Sequence, residues 1–105
     1  MKIYRGRRLG PRENLPRVSV TVSESEGEND KPLKHRVYHS PTGFEFGYGG
    51  SGPADLARSI LWDHLGKEPS PALYQEFKWS FVACWGDEWQ ISSLEIQDWM
   101  DTRGL

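Results

Sequence analysis

The run Gly43-Phe44-Glu45-Phe46-Gly47-Tyr48-Gly49-Gly50-Ser51-Gly52-Pro53-Ala54-Asp55 constrains this chain more than any other stretch. Phe44, Phe46 and Tyr48 alternate with other residues, which predicts a short strand with three rings on one face. Four glycines within six positions then remove Cβ atoms where the backbone must bend. Pro53 suits the first helical position, with Ser51 or Gly52 as cap and Asp55 in the positive first turn. The stretch therefore predicts a strand, a sharp corner and a helix, with amide N–H groups converging at the corner as they do in anion cradles.

Gly47-x-Gly49-x-x-Gly52 matches the dinucleotide fingerprint literally, but the context does not follow. A Rossmann unit needs a second parallel strand after the helix and an acidic residue about 20 positions on. Instead Gly66-Lys67-Glu68-Pro69-Ser70-Pro71 leads to another helix. A Walker loop is excluded because Pro53 and Ala54, not Lys, follow the last glycine. The corner is thus either a tight structural connection or a binding loop.

The flanking elements follow from periodicity. Lys2–Arg7 reads as a strand, and Val18, Val20 and Val22 make Arg17–Ser23 the clearest one. Residues 8–16 read as a loop, and the acidic run 24–32 as a polar connection. Leu33–His39 reads as a third strand, and the turn Ser40-Pro41-Thr42-Gly43 would fold Phe44–Tyr48 back as a fourth. Pro53–Leu65 carries the stripe Leu56, Ala57, Ile60, Leu61 and His64 and stops at Gly66, which makes His64 a buried, hydrogen-bonded residue. Ser70 and Pro71 open a helix to about Trp85, with Leu73, Tyr74, Phe77, Phe81 and Cys84 in its stripe. Cys84 is then a packed thiol with no base beside it. Glu88–Ile91 reads as a short strand, and Ser92 with Glu95 is a capping box for a last helix. Residues from 101 onward are expected to fray.

These elements predict an α+β fold in a single domain of 105 residues. It has an antiparallel sheet of three or four N-terminal strands, about three helices packed on one face, and a short late strand. Five Trp, four Tyr and four Phe make an aromatic-rich core.

Charge and composition narrow the function. The net charge is −2, which disfavours nucleic acid as partner, although residues 1–22 carry six basic side chains against one acidic. A single cysteine allows no internal disulfide and fits a reducing cytoplasm. No apolar run reaches 18 residues, so no membrane span is expected. No metal set and no cofactor motif can be assembled, since His35 and His39 lack a third ligand. No nucleophile is paired with a base. Glu45 and Asp55 flank the corner as the one carboxylate pair with any acid–base potential. A non-enzymatic protein is the expectation.

Two binding modes remain. In the first, the chain binds a protein through its acidic helices, with Trp62 and Trp79, both off the apolar stripes, as exposed anchors. In the second, the corner holds a nucleotide or another phosphate-bearing ligand. His39, Thr42, Gly49, Gly50, Ser51 and Gly52 would then grip it while Tyr48 stacks on a base, and Arg5 or Arg36 supplies a cation.

The run H-S-P-T-G-F-E-F-G-Y-G-G-S-G-P-A-D-L-A, with Tyr4-Arg5-Gly6-Arg7 and W-Q-I-S-S-L-E-I-Q-D-W, resembles a small family of unknown function (DUF6166-like) in bacteria and their phages. The resemblance spans nearly the whole chain. It implies a phage or mobile-element accessory protein in the cytoplasm of a bacterial host, whose partner would be a host protein. It implies no activity.

Overall fold

The computed structural model describes residues 1–9, 18–24, 30–39 and 43–103. The expected loop at 8–16, the polar connection at 24–32 and the turn at 40–43 therefore lie largely outside the described residues, whereas the end expected to fray from 101 is helical through Thr102, and Arg103 donates to Glu76 at 2.7 Å. Strands β1 (Ile3–Arg8), β2 (Val18–Ser23), β3 (Lys31–Pro32) and β4 (Glu88–Ser92) form one antiparallel sheet in the order β3-β2-β1-β4. The late strand is thus a full member, lying beside β1 with Tyr4 opposite Ile91 and Gly6 opposite Trp89.

Alternation decides the two faces. Tyr4, Val20, Trp89 and Ile91 are buried, whereas Arg7, Glu88 and Gln90 are exposed on the wet face. At Gly6 the missing Cβ is structural, because the Trp89 ring fills the space that a methyl group would need. Trp89 in turn stacks on Trp85, with centroids 3.8 Å apart and planes at 13°.

Three helices cover the apolar face: α1 (Ser51–Leu65), α2 (Pro71–Ser80) and α3 (Ser93–Thr102). Their ends follow sequence signals. Gly66 stops α1 at φ 73°, its N–H donating to the Trp62 carbonyl. Ser70 accepts from the Leu73 amide with Pro71 just inside α2, and Ser92 with Glu95 completes a capping box on α3. Phe77, Phe81 and Trp99 lock α2 to α3, with centroids 5.0 to 5.8 Å apart. Among the described residues, no helix is long and apolar enough to cross a membrane.

Several local expectations are corrected. Residues 33–39 belong to no strand, because side chains of α1 take the place of a neighbouring strand. The Arg36 amide donates to Ser59 Oγ at 2.9 Å, the Tyr38 and His39 amides donate to Asp55 at 3.2 and 2.8 Å, and Arg58 Nη1 donates to the Arg36 carbonyl at 2.7 Å. Residues 44–48 are not a strand either. Gly47 at φ 86° swings the chain, so Phe46 is wholly buried while Tyr48 points out. Helix α2 ends at Ser80, and a 3₁₀ turn over Val82–Cys84 leaves Cys84 exposed, its Sγ 3.7 Å from the Trp79 carbonyl. His64 is half-buried, its Nε2 3.0 Å from Gln97 Oε1.

Candidate binding surface

Three elements hold the glycine corner. From the sheet, Arg8 donates to Glu45 at 3.0 Å, to the Phe46 carbonyl at 3.2 Å and to Asp87 at 3.2 Å. The hydrogen bond to Glu45 comes first among the causes that raise the Arg8 pKa above its ordinary value. From the 3₁₀ turn, the Val82 carbonyl accepts the Gly47 amide at 2.9 Å. From α1, the wholly buried Asp55 carboxylate gathers the 35–39 segment, with His35 Nε2 also on it at 2.8 Å. A ring nitrogen facing a carboxylate must carry its proton there.

The helix begins two residues before the Pro53 start that its sequence suggests. Gly50 is the N-cap and makes no side-chain cap, Ser51 is the first helical residue, and Pro53 is the third. Pro53 is tolerated there because the first helical amides have no intrahelical acceptor. Ala54 donates to the Gly50 carbonyl at 3.0 Å. Among the described residues nothing accepts from the amides of Gly49, Gly50, Ser51 or Gly52. Gly52 itself is buried, with no room for a methyl group beside Glu45.

Two rings from distant parts of the chain lie on this corner. Trp79, at the end of α2, is 60 % exposed and packs on Gly49, while Tyr48, 52 % exposed, packs on Gly50. The missing Cβ at each glycine leaves the space that the ring occupies, and a side chain there would displace the ring. Lys78 is buried along its stem and holds its ammonium 4.3 Å from the centroid of the Trp79 ring, without a carboxylate partner among the described residues. The result is an exposed aromatic ledge with unspent amide donors beside it.

The remaining candidates are placed as follows. His39 is committed to the fold, its amide to Asp55 and its Nε2 to the Tyr74 hydroxyl at 2.7 Å. Burial raises the Tyr74 phenol above its ordinary value. Thr42 lies outside the described residues. Trp62 is no free anchor, because it is half-buried with the guanidinium groups of Arg36 and Arg58 at 4.4 and 4.8 Å. Arg36 is thereby occupied, and Arg5 sits on the wet sheet face against Asp30 at 3.2 Å, so neither serves the corner. That face forms a shallow depression of about 750 Å³, lined by Arg5, Arg7, Ser19, Thr21, Glu88 and Gln90 among others. Glu45 and Asp55 are each tied to their own partners rather than to each other.

Sequence reasoning overlooked Asp55, Arg58 and Ser59 as a group. The signal was present, since positions 55, 58, 59 and 62 form a second helical stripe opposite the apolar one. Lys78 had no comparable signal.

Comparison with curated proteins and with solved structures finds no match. A family model described as a family of unknown function (DUF6166) matches residues 4–102. With the match running from the first strand to the last turn of α3, this chain belongs to that family.

Proposed function

We propose that this chain is a non-enzymatic accessory protein that acts by binding another protein, with Tyr48 and Trp79 as the contact. The observation that carries this reading is Trp79, a large ring left 60 % exposed yet held on Gly49. Trp and Tyr dominate binding energy at protein interfaces, and a ring already fixed in place loses little entropy on docking. In the bacterial setting that the family resemblance implies, the partner is a host protein, and the effect is that of an inhibitor or adaptor.

The test is affinity capture from a bacterial lysate with the wild-type chain, Trp79→Ala and Tyr48→Ala. The expected result is one stoichiometric partner held by the wild type and released by both variants. A partner held equally by all three overturns the ledge as the contact.

The unspent amides of Gly49, Gly50, Ser51 and Gly52 favour a second reading, in which the corner binds a nucleotide or another phosphate-bearing ligand. A thermal-shift series with mono- and cyclic nucleotides separates the two. Ligand at 100 times Kd adds about 2.7 kcal/mol, and Gly50→Val, whose side chain takes the space of the Tyr48 ring, abolishes that shift.

A further inference from the structure

We propose, on the reading that Tyr48 and Trp79 form the contact, that the partner docks there with an acidic side chain set beside an apolar one. Lys78 is only 7 % exposed, yet its ammonium makes no hydrogen bond and no ion pair among the described residues. It stands 4.3 Å from the centroid of the Trp79 ring, and the same ring lies against Gly49. The ring quadrupole attracts the cation but leaves its N–H donors unused. A carboxylate brought to such a group accepts a charge-assisted hydrogen bond, the stronger kind.

The amides beside the ring point to the same chemistry. α1 has a glycine N-cap without a side-chain cap, and no acidic residue lies in its first turn. The positive end of a 15-residue helix is therefore left without an anion of its own. Gly49 and Ser51 are exposed and Gly50 is half-buried, so an oxygen from outside can reach their N–H groups.

The carboxylates that hold the corner are engaged elsewhere. Glu45 and Asp87 both pair with Arg8. Asp55 is wholly buried on His35 and on the amides of Tyr38 and His39. The ledge is thus a small positive spot on a chain whose net charge is −2. That balance suits one or two carboxylates and disfavours an extended polyanion, which the rest of the chain would repel. The exposed faces of Tyr48 and Trp79 then take the apolar neighbour of the acidic residue.

NMR titration of the ¹⁵N-labelled full chain with two blocked dipeptides, acetyl-Trp-Glu-amide and acetyl-Trp-Gln-amide, up to about 20 mM tests this. The Glu peptide is expected to shift the Gly49, Gly50, Ser51 and Gly52 amides and the Trp79 indole saturably. It binds at least about tenfold more tightly than the Gln peptide, which has the same shape without the charge. Lys78→Met keeps the buried stem and narrows that preference, whereas Lys78→Arg retains it. Equal binding of the two peptides, binding of neither, or a preference unchanged in Lys78→Met overturns the acidic contact. Inorganic phosphate binding these amides more tightly than the Glu peptide also overturns it, in favour of a phosphate-bearing ligand. The ledge itself is judged separately, by release of the captured partner from Trp79→Ala and Tyr48→Ala.

Discussion

His35 Nε2 and Asp55 Oδ2 meet at 2.8 Å across 20 residues of chain, one on an extended segment and the other wholly buried in α1. With the amides of Tyr38 and His39, this contact lets an unpaired stretch of backbone cross a helix without a neighbouring strand. Asp55→Ala leaves those donors without an acceptor and is expected to cost about 3–5 kcal/mol. Asp55→Asn keeps the shape and one acceptor and costs about 1–3 kcal/mol. Urea denaturation of the three proteins checks the order.

Phe77 and Trp79 lie two residues apart on α2 and differ sharply in what they contribute to stability. Phe77 is fully buried between Phe81 and Trp99, so Phe77→Ala costs about 3–5 kcal/mol. Trp79→Ala costs under about 1 kcal/mol, as for other exposed positions, and its loss shows in partner capture instead. A destabilisation by Trp79→Ala as large as that by Phe77→Ala would show the ring to be core rather than contact.

Gly52 admits no side chain. A Cβ there would lie 2.7 Å from Glu45 Cβ and 3.1 Å from the Glu45 amide nitrogen. Gly52→Ala is expected to destabilise by about 1–3 kcal/mol through overpacking. Gly86→Ala, with nothing within 4 Å, changes stability by less than about 0.5 kcal/mol. Thermal unfolding of both variants measures the contrast.

Tyr4 makes the fold sensitive to alkali. Burial, and then its 2.7 Å hydrogen bond to Asp63, lift its phenol well above the ordinary value. The unfolded chain releases that proton near pH 10, whereas the folded chain retains it. Stability from Tyr4 is therefore intact below about pH 10 and falls by about 1.4 kcal/mol per pH unit above it. Tyr4→Phe is expected to start about 1–2 kcal/mol lower at pH 7 and to decline less steeply. Melting curves from pH 8 to pH 11.5 compare the slopes.

The parts of the fold that sequence reveals are those whose partners are near in the chain or generic. The alternating valines of β2, the Ser92–Glu95 box and the Gly66 stop form as their patterns indicate. Alternation at 33–39 and 44–48 signals extended backbone but is silent on what satisfies it. There the acceptors are Asp55, Ser59 and the Val82 carbonyl, none belonging to a strand. The continuing stripe at Phe81 and Cys84 hides the end of α2, because Phe81 leaves helical geometry at φ −128° while its ring still packs on Phe77. At the ledge, Tyr48 and Trp79 belong to separate sequence readings, a stacking ring and a protein anchor. Only the third dimension sets them on neighbouring glycines.

The pairing of Tyr4 with Ile91 also orders events during synthesis. The central strand leaves the ribosome 87 residues ahead of its second neighbour, a wait on the order of 4–17 s at ordinary elongation rates. Throughout that interval one flank of β1 stands open, and the space above Gly6 awaits Trp89. A nascent chain halted before codon 88 therefore carries an unfinished sheet, which makes it a natural client for chaperones and proteases.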